Sequence, residues 1–135
     1  MSAVVDASVL VAALVDSGPQ GAWAEGIIAA RSLHAPGIAR VEAVNILRRL
    51  ERTKAITRAE ANAAFEDLVQ LPMESFSFDP FAERIWELRL NLTSYDAWYV
   101  ALAEALNLPL ATLDVRLAQA SGPTCAFLTP PSGRV

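Results

Sequence analysis

The chain of 135 residues carries fifteen acidic side chains, and four of them stand where the surrounding sequence is apolar. Asp6 separates two apolar runs, and Asp114 follows a short apolar segment. Glu42 borders the apolar stripe of a helical pattern, and Asp96 opens a helical segment in which Glu104 is the only other charged residue. An ionised carboxylate buried without a partner is costly, so each of the four needs a local or a shared explanation.

Local roles can explain three of the four acids when each is taken singly. Asp6 and Asp114 can each cap a helix that follows them. Asp96 can be the third residue of a capping box that begins at Thr93, where the helix dipole also favours a negative charge. Each local role explains its residue as well as a functional role does.

The shared explanation is a cation site. Asp6 and Asp114 follow predicted strands, and the carboxyl ends of parallel strands meet at one edge of a sheet. Glu42 and Asp96 lie on predicted helices at positions that face inward. Carboxylates that met there would repel one another unless a cation lay between them. Oxygen ligands without histidine or cysteine suit Mg²⁺ or Mn²⁺ rather than zinc.

Strands and helices that could position these acids alternate along the chain. Short apolar runs bounded by turn residues predict strands at 3–5, 33–35, 75–78, 109–112 and 126–128. Caps and apolar stripes predict helices at 9–15, 20–31, 38–52, 57–71, 80–90, 94–107 and 115–120. Ser8 is expected to cap the first helix. The alternation predicts an α/β sandwich around a mainly parallel sheet.

Length and composition predict one domain over residues 1–135, with 129–135 as a loose polar tail. At 53% hydrophobic and 19% charged, the chain can bury a core. Its longest apolar run is too short to cross a bilayer, and its N-terminus lacks a signal-peptide pattern, so no membrane partner is expected. The single cysteine, Cys125, excludes an internal disulfide and suits a reducing cytoplasm.

Net charge and the distribution of basic residues indicate whether the chain could bind nucleic acid. A net charge of −4 argues against a general nucleic-acid coat protein, which would carry a basic field. Basic residues nevertheless crowd into one stretch, which is either a solvated helix face or a track for phosphates. The stretch contains Arg40, Arg48, Arg49, Arg52, Lys54 and Arg58. Arg49 lies on nearly the same helix edge as Glu42.

Four motifs in this order resemble the PIN domain and, more closely, the VapC-type ribonuclease toxins of bacterial toxin–antitoxin pairs. They are VVDAS at 4–8, RVEAVNILRR at 40–49, SYDAWYVALAEALN at 94–107 and LATLD at 110–114. The resemblance covers nearly the whole chain. It implies a three-layer α/β/α sandwich with a central, mainly parallel sheet.

The resemblance also implies roles for individual residues. The catalytic and metal-binding quartet falls on Asp6, Glu42, Asp96 and Asp114. Ser8 and Thr112 match hydroxyl positions that orient the quartet. Asn45 takes a supporting position, and Arg49 is expected to contact RNA.

The implied function is hydrolysis of RNA phosphodiester bonds by a toxin. Mg²⁺ or Mn²⁺ would lower the pKa of a water molecule and neutralise charge in the transition state. Asp6, Asp96 and Asp114 are expected to be the main ligands. Glu42 is expected to bind the cation, directly or through water, or to orient the attacking water. The implied partners are RNA, a VapB-type antitoxin that blocks the site, and a second copy in a homodimer.

Other functions fit the sequence less well or remain open. A haloacid-dehalogenase-type phosphatase needs a second acid two residues after the first, where this chain has Ser8, and a late lysine, whereas the only lysine is Lys54. A receiver domain lacks the same lysine. A non-catalytic PIN-like module that binds RNA or a protein partner remains open. Because carboxylates act on phosphate rather than on bases, transfer, ribosomal and messenger RNA are all compatible with the site.

Overall fold

Five parallel strands form the centre of the molecule. The structure is a computed structural model that describes residues 1–131. Its strands are β1 Ser2–Val5, β2 Ser32–Pro36, β3 Glu74–Phe76, β4 Leu110–Ala111 and β5 Phe127–Leu128. Their order across the sheet is β3-β2-β1-β4-β5, and each neighbouring pair is parallel. The predicted parallel sheet is therefore confirmed.

Seven α-helices connect the strands within residues 1–131. They are α1 Ala7–Val15, α2 Pro19–Ala30, α3 Ala39–Arg52, α4 Arg58–Gln70, α5 Ala82–Glu87, α6 Ser94–Leu106 and α7 Val115–Gln119. At the start of α4, Thr57 and Glu60 form the predicted capping box, in which each side chain bonds the backbone amide of the other. No helix of the described residues is long and apolar enough to cross a membrane.

The helices fall into two packing groups. α6 packs against β1, β2 and β4 and is joined by α5, whereas α1 packs on α2, α3 and α4. The strand residues Ala3, Val4 and Val5 are inaccessible to solvent. One hydrophobic core includes side chains from both helix groups and from the sheet. This arrangement confirms the α/β sandwich.

The strand order creates a crevice beside β1. The chain places β2 and β3 on one side of β1 and then returns to place β4 on the other side. In an open parallel sheet, the connections after two such strands diverge and leave room for a ligand at their carboxyl ends. β1 ends immediately before Asp6, and β4 ends shortly before Asp114. The topology thus brings the beginning and the end of the chain to one place.

Two predicted elements differ from the structure. The single helix predicted at 80–90 is wrong, because 3₁₀ turns at Asp79–Phe81 and Leu88–Leu90 flank the shorter α5. Phe81 has φ −107° and ψ 0°, outside the α-helical region, so the α-helix begins only after it. The strand predicted at 75–78 ends at Phe76, the last residue that pairs with β2.

The predicted tail is described only in part. Thr129–Pro131 follow β5 and adopt neither helix nor strand. Residues 132–135 lie outside the described residues, so the loose tail at 129–135 stays a prediction. The extent of the domain over 1–135 stays a prediction for the same reason.

Candidate active site

Asp6 stands at the junction of β1 and α1, and three donors hold its carboxylate. The hydroxyl groups of Ser8 and Thr112 donate to its two oxygens. The Val9 amide donates to Oδ1 at 3.2 Å. Asp6 is therefore the N-cap of α1, and the prediction that Ser8 caps this helix is wrong because Ser8 already lies in its first turn.

Capping accounts for only part of the environment of Asp6. The residue is 9% exposed, and no basic side chain bonds it within residues 1–131. Burial raises the pKa of Asp6, the three hydrogen bonds oppose that rise, and the charge of Asp96 adds to it. A helix cap needs neither deep burial nor a second acid nearby. Capping alone therefore does not account for the burial of Asp6 beside a second acid.

The hydroxyl groups of Ser8 and Thr112 connect the ends of β1 and β4. Thr112 is fully buried, and its Oγ1 accepts a hydrogen bond from the Asp114 amide at 3.0 Å. Ser8 Oγ accepts one from the Leu113 amide at 3.3 Å. Each hydroxyl thus donates to Asp6 and accepts from the loop after β4. Both residues lie where an orienting role requires them.

Glu42 lies half-buried on α3, and its hydrogen-bond partner is a residue that the sequence did not reveal. The hydroxyl of Tyr99, on α6, donates to Glu42 Oε1 at 2.6 Å. Burial, followed by this bond to Glu42, raises the pKa of Tyr99 well above its usual range, and the nearby Ala7 amide partly opposes the rise. A tyrosine in an apolar helix pattern indicates a core position, and its partner is 57 residues away. The one available signal was that a buried phenol needs a hydrogen-bond partner.

Asp96 and Asp114 lie at the N-termini of two helices. Thr93 Oγ1 accepts from the Asp96 amide at 3.2 Å, so Thr93 caps α6. The hydrogen bonds of the described residues do not include the reciprocal bond from the Thr93 amide to the Asp96 carboxylate, so the predicted capping box is present only in half. Burial, followed by the charge of Asp114, raises the pKa of Asp96. Asp114 is exposed and caps α7 by accepting from the amides of Arg116 at 2.9 Å and Leu117 at 3.2 Å.

The predicted site residues converge on one open cavity of about 420 Å³. Its lining comprises Asp6, Ala7, Ser8, Glu42, Asn45, Ile46, Arg49, Asp96, Tyr99 and Asp114. All four acids line it, together with Ser8, Asn45 and Arg49. Thr112 does not line the cavity and acts behind Asp6. Four distant parts of the sequence thus supply one wall.

The basic stretch divides into separate roles. Arg49 is the only basic side chain that lines the cavity within residues 1–131. Arg40 donates to the carbonyl oxygens of Leu68 at 2.8 Å and Leu71 at 2.9 Å, so it joins α3 to the end of α4. Arg48 lies exposed, away from the acids. The structure therefore does not support a continuous phosphate track along the basic residues at 40–58.

The cavity suits a hard divalent cation in chemistry and in charge. All four acids offer oxygen, the ligand that Mg²⁺ prefers. Besides burial, the charge of Asp114 raises the pKa of Asp96, and that of Asp96 raises the pKa of Asp6, so these groups repel one another. A cation among them would relieve the repulsion. In the described part of the chain, however, no three such side chains are close enough to enclose a metal ion. An ion held there by one or two carboxylates would complete its coordination with water, as Mg²⁺ commonly does in proteins.

A family model decides the classification of the chain. The model described as PIN domain matches residues 3–123, a range that includes all four acids. The chain belongs to the PIN domain family. This PIN domain is 40% identical over 128 residues to a VapC ribonuclease of Mycobacterium bovis, covering 95% of this chain and 98% of that protein. The match confirms the predicted resemblance to the VapC group.

Solved structures show the same fold as this PIN domain. A crystal structure from Pyrobaculum aerophilum matches it with a TM-score of 0.69 and 25% identity, covering 94% of this chain and 83% of that one. VapBC2 from Rickettsia felis, bound to a DNA fragment from its promoter, matches with a TM-score of 0.65 and 15% identity, covering 97% and 100% of the two chains. The second match, at low identity, concerns the fold alone.

Proposed function

We propose that this PIN domain is an endoribonuclease toxin that hydrolyses RNA phosphodiester bonds with Mg²⁺ or Mn²⁺ in its acidic cavity. The carrying observation is that four carboxylates from distant segments line one cavity, with Arg49 as the only basic side chain on the wall formed by residues 1–131. The Mycobacterium bovis relative, 40% identical, is named a ribonuclease. The proposal extends that activity to this chain.

Phosphodiester hydrolysis requires the site to bind an anionic phosphate beside its own carboxylates. A divalent cation, when bound, supplies charge neutralisation and lowers the pKa of water. We assign the main ligand roles to Asp6, Asp96 and Asp114. Asp6 is held by Ser8 and Thr112 before any cation binds, so its oxygens need little reorganisation.

Glu42, Asn45 and Arg49 share one face of α3 and complete the cavity wall. Glu42 is the fourth acid, which binds the cation directly or through water, or orients the attacking water. Arg49 offers a guanidinium that can pair with a phosphate of the RNA and hold the chain over the acids. Asn45 lies one turn before Arg49 and supports the same contact with its amide.

Two protein partners belong to the proposal. A VapB-type antitoxin would neutralise the toxin by covering the cavity, where a basic side chain of the antitoxin could pair with the acids. The solved structure from Rickettsia felis is named as a VapBC2 pair. A homodimer of this chain is the second association, as the resemblance implies.

The proposed place of action is the cytoplasm. Cys125, the single cysteine, has no second thiol in the chain with which to form an internal disulfide. Burial raises the pKa of the Cys125 thiol to about 11, so this group stays protonated and weakly reactive at neutral pH. Both observations suit a reducing compartment.

A cleavage assay on defined RNA with two matched variants tests the function. Asp96→Asn keeps the shape of the side chain and removes one proposed ligand, and we expect it to lower the cleavage rate at least about a hundredfold. Asp67→Asn removes a charge from an exposed position on α4 and is the control. Circular dichroism establishes that both variants are folded. Each protein is assayed with Mg²⁺, with Mn²⁺ and with EDTA.

Three outcomes decide the assay. Cleavage by wild type and Asp67→Asn that EDTA stops and Asp96→Asn loses supports the proposal. Cleavage that persists in EDTA, or in Asp96→Asn at the wild-type rate, rejects the metal-dependent mechanism. Binding of RNA without cleavage by wild type with either cation would establish the non-catalytic module instead.

A further inference from the structure

Tyr99 makes a polar contact between two helices that otherwise belong to different packing groups. Its side chain is 2% exposed within α6, which packs on the sheet. Its hydroxyl donates to Glu42 Oε1 at 2.6 Å on α3, which packs with α1 and α4. The contact lies in the acidic cavity, whose wall includes both residues. A phenylalanine would fill the same apolar space, so the hydroxyl itself needs an explanation.

The four acids differ in how firmly the protein holds them. Asp6 accepts hydrogen bonds from three groups, and Asp114 accepts from two backbone amides. Within residues 1–131, the Tyr99 hydroxyl is the only hydrogen-bond partner of the Glu42 carboxylate. Glutamate has more rotatable bonds than aspartate and loses more entropy when it is ordered. Removal of this one donor therefore frees Glu42 more than removal of one donor frees Asp6.

We propose that Tyr99 is a positioning residue, whose hydroxyl holds Glu42 by Oε1 and leaves Oε2 as the oxygen available to the chemistry of the site. The proposal rests on the function proposed above and adds a residue to it. Tyr99 acts through Glu42, because its hydroxyl donates a hydrogen bond to the Glu42 carboxylate. Glu42 is the residue whose role the sequence leaves most open, and the bond to Tyr99 gives its carboxylate one defined orientation.

The test uses a double-mutant cycle with a matched control. Tyr99→Phe removes the hydroxyl and keeps the ring. Tyr95→Phe removes a hydroxyl from the same helix at a side chain that is 57% exposed, and it serves as the control. Glu42→Ala, alone and combined with Tyr99→Phe, reports whether the hydroxyl acts through Glu42. Glu42→Asp keeps the charge but shortens the reach, and it provides a second route if Tyr99→Phe does not fold.

Two measurements are made on each variant of the full chain. Steady-state cleavage of a short RNA with Mn²⁺ gives kcat and KM, and calorimetry with Mn²⁺ alone gives the affinity for the cation. We expect Tyr99→Phe to lower kcat about tenfold with KM within about twofold, and to weaken Mn²⁺ binding by a similar factor. Glu42→Asp should reproduce this loss. In the Glu42→Ala background, Tyr99→Phe should change either quantity less than about twofold.

The outcomes separate this inference from the proposed function. Wild type that binds Mn²⁺ but does not cleave RNA rejects the function, while the calorimetric cycle still decides the role of Tyr99. A Tyr99→Phe variant that matches Tyr95→Phe in both measurements overturns the positioning role. The same conclusion follows if Tyr99→Phe retains its full effect without Glu42, because the hydroxyl then acts by another route.

Discussion

α6 carries a half-buried carboxylate near each end, and the two carboxylates have opposite electrostatic surroundings. Asp96 and Glu104 lie about two turns apart on this helix. Glu104 is held by Arg84, whose Nε and Nη2 donate to its two oxygens at 2.7 and 3.0 Å, and by the Thr124 amide at 2.8 Å. Asp96 faces Asp114 and makes no ion pair within residues 1–131. Glu104 is thus paired with a positive charge, whereas Asp96 lies near a second negative charge.

The pKa values of the two acids follow this difference. Burial alone would raise the pKa of Glu104, but the bonds from Arg84 and Thr124 lower it below its usual value. Burial raises the pKa of Asp96, and the charge of Asp114 adds to the rise. The hydrogen bond to Thr93 offsets only part of the rise at Asp96, and carboxylates with raised pKa values occur most often at functional sites. The comparison therefore distinguishes an acid paired with a cation from the acid that we propose to be functional, on a single helix.

The largest expected effect comes from removing the guanidinium that pairs with Glu104, so that both acids of α6 lack a cationic partner. Arg84→Ala leaves Glu104 half-buried without its cation, and we expect the unfolding free energy to fall by about 2 kcal/mol. Urea unfolding at neutral pH measures the change. Arg58→Ala is the control, because Arg58 pairs with Glu51 at 3.7 Å on the exposed surface. The control should cost less than about 0.5 kcal/mol. Equal losses in both variants would show that the Arg84 pair is no stronger than a surface pair.

A smaller effect concerns Arg49, the only basic side chain on the cavity wall within residues 1–131. If Arg49 pairs with a phosphate of the RNA rather than with the acids, Arg49→Ala should weaken RNA binding about fivefold and reduce the salt slope by about 0.7. The measurement uses the Asp96→Asn background, in which the RNA is expected to stay intact. Arg89→Ala is the control, because Arg89 stacks on Trp86 outside the cavity. An unchanged slope in Arg49→Ala rejects the phosphate contact.

The smallest effect is the dependence of stability on pH at Asp96. Because the folded pKa of Asp96 is raised above its ordinary value of 3.8, the folded state retains this proton to higher pH than the unfolded state. The stability contribution of Asp96 is therefore highest below about pH 4 and falls as pH rises through the raised pKa. Asp96→Asn removes this loss.

The comparison of wild type with Asp96→Asn is made in EDTA between pH 3.5 and pH 7. We expect Asp96→Asn to gain about 0.5 kcal/mol in unfolding free energy relative to wild type over this range, a small gain because solvent screens a half-exposed carboxylate. Asp67→Asn accounts for the change in net charge alone. If the difference in unfolding free energy between wild type and Asp96→Asn does not change with pH, or changes in the opposite direction, the pKa of Asp96 is not raised in the folded state.

The elements and the acids were largely predictable because their signals are local. The capping box at Thr57 depends on residues three positions apart, and the helix of α3 shows its apolar stripe in one short window. The acids at 6, 42, 96 and 114 stand out because each interrupts or borders an apolar pattern. Motif order then related them to the PIN domain. Boundaries were less predictable, as the 3₁₀ turns on either side of α5 show.

Long-range contacts were beyond the reach of local sequence patterns, although the family resemblance did place the Thr112 hydroxyl beside the acids. The bond from Tyr99 to Glu42 crosses 57 residues, and the bond from Thr112 to Asp6 crosses 106. No local pattern indicates which buried hydroxyl will meet which carboxylate, because that depends on how the layers pack. From the sequence, helix capping and a place in a shared site were alternatives for Asp6 and Asp114. In the structure, both side chains cap a helix and also line the cavity.

The sequence by itself determined the parallel α/β class and the membership of the PIN family, and it singled out the four acids that line the cavity, since short-range periodicity and motif order suffice for these. Only the tertiary structure decided which acids are paired and which are not. It placed Arg84 against Glu104 and left Asp96 facing Asp114, although all four lie on α5, α6 and the loop after β4. The physical reason is that the pKa and the partner of a carboxylate depend on burial and on charges within a few ångströms, which the fold sets and the order of residues does not.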